Sequence, residues 1–230
     1  MKTAGLIGGT TWLSTLHYYR YINKHVGERL GCHHSAKMLL YTIDFQDIDE
    51  LMAKDRWDEI ANMYVGIAKK LETAGADCLV ICANTLHRVA DEVEKSVKIP
   101  LINIVDATAR EIKARGITNI GLLGTKTTME HDFYKSRLYY KFGINSIIPD
   151  EPDRDYVQNV ISVLLPSGKI DKSVNAEFRK IIFKMSMRGA QGVILGCTEI
   201  PLVVYETDVE IPAFDTTRLH AIAAADFILQ

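Results

Sequence analysis

One cysteine occupies a position at which a protein can use a thiol for proton transfer. Cys197 ends an apolar run, follows Gly196 and lies two residues before Glu199. A strand ending here delivers the thiol to a strand-to-helix junction, and a helix N-terminus lowers the pKa of a thiol, provided that Glu199 points away. A thiolate there can take a proton or attack an electrophile. We interpret Cys197 as a candidate acid or base, with Thr198 and Glu199 as candidate substrate contacts.

An internal repeat relates the two halves of the chain. Three pairs of segments match at nearly one offset, between 112 and 116 residues: 75–85 with 189–199, 5–11 with 121–125, and 99–100 with 211–212. The repeat predicts an N-terminal lobe over 1–115, whose C-terminal helix can cross over to the other lobe, and a C-terminal lobe over 116–230. Ligands of open α/β sheets bind at the carboxyl ends of strands, so we expect the site in the cleft between the lobes.

The elements between the motifs predict an α/β fold with two pseudo-symmetric, doubly wound lobes. Helical periodicity covers 57–71 and 175–189, and the short apolar runs between helical stretches are typical of buried parallel strands. The predicted strands are 2–7, 36–44, 77–83, 101–105, 119–124, 144–148, 191–197 and 211–214.

Two loops can present hydroxyls and amides to an anion. Gly9, Thr10 and Thr11 follow a strand and open a helix, without the Gly-Lys-Ser/Thr ending of a Walker A loop. A carboxylate suits this loop better than a nucleotide, and the alternative is a tight turn without a ligand. In the repeat, Thr125, Thr127 and Thr128 can hold a carboxylate or only cap a helix.

Ala83 occupies the position that the repeat pairs with Cys197. Asn84 and Thr85 follow it and can donate hydrogen bonds to a carboxylate, and His87 is a weak candidate for a substitute acid or base. Cys82 precedes Ala83, so in a strand its side chain points to the opposite face, and we predict a core residue.

Composition excludes several classes of protein. The 230 residues include 27 Lys+Arg and 29 Asp+Glu, a net charge of −2 that argues against a general nucleic-acid binder. No apolar run reaches the ~18–20 residues that cross a bilayer, and the first ten residues carry no signal-peptide pattern. We expect a cytoplasmic protein with reduced thiols. Cys32-His33-His34 has no second ligand group at a metal spacing, so no metal site is predicted.

These motifs together resemble the pyridoxal-phosphate-independent aspartate/glutamate racemase family, over essentially the whole chain. The resemblance is carried by segments 5–15, 83–87, 124–129 and 196–199. It implies two pseudo-symmetric α/β lobes, usually a homodimer, no cofactor, and a small amino acid or dicarboxylate as substrate. The match is similar to the branch of broad amino-acid racemases that act on aspartate and glutamate.

The resemblance also implies roles for individual residues. Family enzymes typically use two thiols on opposite faces of the substrate Cα; this chain keeps the second as Cys197 and has Ala83 in place of the first. Alanine here is either natural, as threonine or alanine is in some relatives, or engineered. Some relatives carry a basic residue where this chain has the acidic segment 47–50, so Lys169 or Arg56 is a candidate partner for the substrate carboxylate.

Three functions stay open at this point. The first is a racemase in which Cys197 removes and returns the Cα proton, with slow or no turnover because losing one acid–base group typically costs ~10²–10⁴ in rate. The second is a one-thiol decarboxylase or isomerase of the same fold, which fits the single thiol but not the polar threonine loops. The third is a pseudoenzyme that binds dicarboxylates.

Overall fold

The computed structural model describes residues 1–31, 33–164 and 172–230. The chain forms two compact units: one comprises 1–104 and 217–230, and the other comprises 105–216. Each unit is built around a parallel sheet, which confirms the predicted α/β class with two sheets. A duplication divided near residue 115 stays a prediction, because compactness and duplication are different properties.

The sheet of the first unit has three parallel strands in the order β2-β1-β3. They are β1 (Thr3–Gly8), β2 (Lys37–Thr42) and β3 (Cys78–Ile81). Apolar side chains alternate between its two faces: Leu6 and Val80 lie in one core, and Ile7 and Ile81 lie in the other. This alternation decides the direction in which each side chain points at the strand ends.

Helices cover both faces of this sheet. They are α1 (Trp12–Leu30), α2 (Phe45–Ala53), α3 (Trp57–Thr73) and α4 (Ala90–Ser96), with a 3-10 turn at Thr85–Val89. The unit also includes the start of α5 (Ile104–Ala114) and, from Thr217 onward, the last helix (Thr216–Ile228). That last helix and α1 share a core with Leu6, whereas α3 belongs to the core of Ile7.

The sheet of the second unit has four parallel strands in the order β5-β4-β6-β7. Its strands are β4 (Asn119–Gly124), β5 (Asn145–Ile147), β6 (Val193–Gly196) and β7 (Ala213–Asp215). Its helices are α6 (Lys126–Glu130), α7 (Asp132–Phe142), α8 (Glu151–Asn159) and α9 (Lys172–Met187). A π-helical turn covers Val160–Leu164, and 3-10 turns cover Ile200–Leu202 and Glu206–Asp208. The last helix of the chain, Thr216–Ile228, is named α10. In each sheet the first strand lies between the second and the third, as a duplication requires.

One predicted strand is wrong. Segment 101–105 contributes only a single bridge between Leu101 and Leu79. The backbone then turns, since Ile104 begins α5 and donates its N–H to the ring of His87 at 3.1 Å instead of extending the sheet. The described residues include no helix of the length and apolarity needed to cross a membrane.

Candidate active site

The loop after β1 is held by hydrogen bonds within the chain. Gly9 has φ +96°, and a Cβ there would overlap the backbone of Ile43. Its N–H donates to Thr15 Oγ1 at 2.9 Å, and the Thr11 hydroxyl oxygen caps α1 by accepting the Ser14 N–H at 3.2 Å. The predicted anion donors Gly9 and Thr11 therefore already serve the turn that starts α1.

Thr10 differs from Gly9 and Thr11 because its hydrogen-bond partner lies on α3, outside the turn that starts α1. The Thr10 Oγ1 lies 3.2 Å from the hydroxyl oxygen of Tyr64, on α3. Tyr64 is completely buried, and burial raises the pKa of its phenol above the ordinary range. Sequence periodicity placed Tyr64 only on the buried face of a helix, so this contact was not predicted.

Ala83 lies two residues after the end of β3, with 9% of its surface exposed, and packs in the core of Ile7 and α3. Cys82 lies in the opposite core, completely enclosed, and burial raises the pKa of its thiol. The prediction that Cys82 is a core residue is confirmed. Asn84 is buried, and Thr85 is half-buried at the start of the 3-10 turn. The hydroxyl of Ser14 donates to the Cys82 carbonyl at 2.8 Å, which joins this segment to the first turn of α1.

Both ring nitrogens of His87 have partners inside the first unit. Nε2 accepts the Ile104 N–H at 3.1 Å, so Nδ1 carries the proton and donates it to the Ala83 carbonyl at 2.7 Å. The His87 ring is buried and contacts His220, whose ring centroid lies 5.4 Å away. This arrangement makes His87 a support for the backbone at Ala83, and it disfavours the predicted role as a substitute acid or base.

The threonine loop of the second unit begins α6. The Thr125 hydroxyl oxygen accepts the Thr128 N–H at 3.2 Å, and their two side-chain oxygens are 3.1 Å apart. Thr128 is fully buried, whereas Thr127 is half-buried. Helix capping, one of the two predicted functions of this loop, therefore occupies Thr125 and Thr128.

Cys197 follows β6 and faces a carboxylate. Its Sγ donates to Glu199 Oε2 at 2.8 Å, and the Thr198 hydroxyl donates to the same oxygen at 2.7 Å. Burial, then the charge of Glu199, raises the pKa of Cys197 well above its usual value. The expected lowering by a helix N-terminus is wrong, because Glu199 points at the thiol and only the short 3-10 turn Ile200–Leu202 follows.

Strand register brings the predicted residues together within each unit. Gly124 and Gly196 are register partners in adjacent strands, so the threonine loop lies beside Cys197. Ile7 and Ile81 are partners in the same way, so Gly9–Thr11 lies beside Ala83–Thr85. Gly124 and Gly196 also permit close packing, since a Cβ on Gly196 would lie 2.6 Å from the Leu123 carbonyl oxygen.

The candidate cations give no support for carboxylate binding. Lys169 lies outside the described residues. Arg56 is about half exposed and forms ion pairs with Glu59 and, at 3.9 Å, with Asp58. Among the residues described, no group of three or more His, Cys, Asp or Glu side chains could hold a metal ion.

Comparison with known proteins decides the family. Residues 7–224 match the model of the Asp/Glu/Hydantoin racemase family. The chain belongs to this family. The resemblance stated from the sequence motifs is therefore confirmed, and amino-acid racemases are the chain's relatives.

Individual members of the racemase family cover most or all of the chain. The broad specificity amino-acid racemase RacX of Bacillus subtilis (strain 168) is 24% identical over 166 residues, which are 71% of this chain and 70% of that protein. The crystal structure of a candidate Asp/Glu racemase from Yersinia pestis is 49% identical, with a TM-score of 0.96 over all of both chains. An aspartate racemase homologue from Pyrococcus horikoshii OT3 is 33% identical, with a TM-score of 0.88 over all of both chains.

Two features of this racemase-family site were missed by sequence reasoning. The first is the Tyr64–Thr10 hydroxyl pair, and the second is the direct contact of Glu199 with the thiol. The spacing Cys-x-Glu could have suggested the second contact, because neighbours at i and i+2 share a side when the backbone turns after a strand. The first pair is separated by 54 residues and had no sequence signal.

Proposed function

We propose that the protein is a cofactor-independent racemase of aspartate and glutamate in which Cys197 is the acid and base at the substrate Cα. The observation that carries the proposal is the hydrogen bond of 2.8 Å from the Cys197 thiol to Glu199 at the carboxyl end of β6. The three thiols of the described residues are all buried in cores, and Cys197 is the one of them that is paired with a carboxylate. A thiol acts as a base only after it has lost its proton, and Glu199 is an acceptor for that proton within hydrogen-bond distance.

The pair can exchange a proton with a substrate in balanced steps. The Cys197 proton passes to Glu199 Oε2 and leaves a thiolate. The thiolate then takes the α-proton, so that the C–H electron pair stays on Cα as a carbanion and Cys197 is a thiol again. If the thiol exchanges this proton with solvent and then protonates the same face, the result is solvent exchange without inversion, whereas a proton delivered to the opposite face gives the other enantiomer.

The opposite face lacks the thiol that the family pattern places there. Ala83 carries no exchangeable side-chain proton, and Cys82 belongs to the other face of its sheet. A hydroxyl or a water molecule must then supply this proton, and the loss of one positioned acid–base group typically costs ~10²–10⁴ in rate. We therefore expect slow racemisation and faster one-face exchange.

Carboxylate binding is assigned to donors at the strand ends. In this proposal Thr10, Asn84, Thr85 and Thr198 bind the α-carboxylate and its neighbours, and Thr127 and Lys169 serve the side-chain carboxylate. Gly9, Thr11, Thr125 and Thr128 hold the loops that carry these donors. Oriented donors are needed because the carbanion pushes negative charge onto the α-carboxylate, and stabilisation of such charge is usually the largest contribution to catalysis. Glu199 faces the thiol, so its part is proton transfer rather than substrate binding.

The test is α-proton exchange in D₂O with L-aspartate and with L-glutamate, followed by NMR and by chiral chromatography. Wild-type protein should exchange the α-proton, Cys197→Ala should abolish exchange, and Cys82→Ala should retain it within a few-fold. Cys82→Ala is a matched control because it removes a buried thiol from the same kind of strand end. Loss of exchange in Cys82→Ala with retention in Cys197→Ala would contradict the assignment.

A one-thiol decarboxylase or isomerase is the second candidate, favoured by a specific observation. A thiol whose pKa is raised is a proton donor at rest, and protonation of an enediolate after loss of carbon dioxide needs such a donor. Carbon dioxide release from a malonate without α-proton exchange of amino acids would favour it. If dicarboxylates raise the melting temperature but neither α-proton exchange nor carbon dioxide release is detected, the result would favour a pseudoenzyme.

A homodimer is part of the proposal. Helix α1 exposes Trp12, Leu16 and Tyr19 at intervals of three and four residues, which place them on one side of the helix. Exposed apolar stripes of this kind are typical of interfaces. Light scattering should give twice the mass of the chain, and Leu16→Glu should reduce it. Cytoplasmic location stays a prediction from the sequence.

A further inference from the structure

A tyrosine hydroxyl reaches the candidate substrate loop from inside the core of the first unit. Tyr64 belongs to the core that also contains Ile7, Ala83 and Leu86, and none of its surface is exposed. Its hydroxyl lies 3.2 Å from Thr10 Oγ1, its hydrogen-bond partner within the described part of the chain. Burial of a phenol costs less when its hydroxyl is hydrogen-bonded, so this contact stabilises the observed positions of both side chains.

Burial determines which oxygen donates. Because burial raises the pKa of Tyr64, the phenol keeps its proton over the whole range in which proteins are usually folded. That proton points to Thr10 Oγ1, since an O–H enclosed in an apolar core otherwise lacks an acceptor. Thr10 then accepts through one lone pair, and its own proton is directed away from Tyr64.

The other polar groups around Thr10 serve the turn. The Gly9 N–H donates to Thr15 Oγ1, and the Thr11 oxygen accepts the Ser14 N–H. When Tyr64 is the donor of their shared hydrogen bond, the described residues show no second acceptor for the Thr10 hydroxyl proton, and Thr10 is only half-buried. The donor that this loop offers to a ligand is therefore the Thr10 O–H, which Tyr64 orients from its position in the core.

We propose that Tyr64 is a positioning residue that directs the Thr10 O–H towards a carboxylate oxygen of the amino-acid substrate. This inference rests on the proposed function and adds a residue to its binding site. The hydrogen bond from Tyr64 polarises the Thr10 hydroxyl, which strengthens its donation to an anion. Donation to a carboxylate is stronger than donation between neutral groups.

The test compares Tyr64→Phe with Tyr134→Phe in the α-proton exchange assay. Tyr134 is the control: it is a fully buried tyrosine of the second unit, and burial raises the pKa of its phenol as it does that of Tyr64. For Tyr64→Phe we expect the KM for L-aspartate to rise about tenfold, with kcat changed less than about twofold. Tyr134→Phe should leave the KM unchanged.

Substitutions at Thr10 test the same contact from its other side. Thr10→Val should raise the KM as much as Tyr64→Phe does, Thr10→Ser should keep the wild-type KM, and the double variant should be no worse than either single one. Residues that act through one another give such non-additive effects. Thr10 is half-buried, so Thr10→Val remains informative if Tyr64→Phe folds poorly.

Outcomes that overturn the inference are distinct from those that overturn the proposed function. An unchanged KM in Tyr64→Phe, or a fall in kcat and melting temperature that Tyr134→Phe shares, overturns the inference alone. If the wild-type protein exchanges no α-proton, the proposed function fails, and calorimetric binding of L-aspartate decides the inference. Weaker binding to Tyr64→Phe than to Tyr134→Phe supports it, and equal or absent binding overturns it.

Discussion

Replacement of Glu199 by glutamine removes the negative charge that faces the Cys197 thiol and keeps the side-chain size. The two side chains are 2.8 Å apart. At this distance the repulsion between a thiolate and a carboxylate is about 6 kcal/mol for an effective dielectric constant of about 20 and about 1.5 kcal/mol in bulk water. Glu199 is partly exposed, so the lower part of this range applies, about 1.5–3 kcal/mol. Glu199→Gln should therefore lower the pKa of Cys197, because the charge and the hydrogen bond of Glu199 both raise it.

Alkylation of Cys197 measures this shift, because the thiolate is the reactive form. At a fixed pH below the thiol pKa, iodoacetamide should modify Cys197 about 10–100-fold faster in Glu199→Gln, as followed by mass spectrometry of the peptide that contains it. Cys78 and Cys82 should stay unreactive in both proteins, because burial raises the pKa of Cys78 to about 12 and that of Cys82 further.

The rate of α-proton exchange should fall in Glu199→Gln, although alkylation becomes faster. Without Glu199 the thiol proton must leave to solvent, so α-proton exchange at pH 7 should fall by roughly 10²–10⁴ and should rise with pH as the thiolate forms. Glu210→Gln is the matched control, since Glu210 is exposed in the same unit and should change neither rate. Equal alkylation and equal exchange in Glu199→Gln and wild type would refute the assignment of Glu199 as the thiol's proton acceptor.

Two further predictions concern Ala83 and the buried histidine of α10. Ala83→Cys should raise racemisation by roughly 10²–10⁴ in chiral chromatography, because it supplies a second acid–base group; no gain would contradict Ala83 as the opposing position. His220 lies against Tyr18 and His87, and burial lowers its pKa to about 4, below the ~6.5 of an unfolded chain. The unfolded chain binds more protons between these values, so the free energy of unfolding should fall by about 3 kcal/mol from pH 7 to pH 4. Urea unfolding checks this, and a curve equally steep in His220→Gln would contradict it.

The sheets could be predicted because buried parallel strands leave a direct trace in the sequence. Runs such as 119–124 and 77–83 are apolar almost throughout, since both faces of the strand are covered. The strand β3 ends at Ile81, two residues before its predicted end. Segment 101–105 shows the limit of this reasoning: it is apolar enough for a strand, but a long-range hydrogen bond from Ile104 to His87 starts a helix instead.

The places of the candidate residues at strand ends could be predicted from the sequence, whereas their contacts could not. Spacing and repeat identified Cys197 and Ala83 as equivalent strand ends, which follows from backbone pattern alone. The direction of the Glu199 side chain decides whether the thiol is favoured as an anion or as a neutral group. A change in the Glu199 rotamer is enough to turn the carboxylate towards the thiol, which favours the neutral form. Contacts such as Tyr64 with Thr10 depend on how α3 packs on the sheet, which sequence spacing does not encode.

The two strand ends offer different proton chemistry. The end of β6 has a thiol and a carboxylate in contact, so one proton can move between them and be renewed from solvent. The residues beside Ala83 offer hydroxyls and an amide, whose protons are held far more tightly near neutral pH. Abstraction and return at Cys197 should therefore outpace delivery to the other face. A ratio of α-proton exchange to racemisation well above one expresses this asymmetry, and Ala83→Cys should bring that ratio towards one because both faces then carry a thiol.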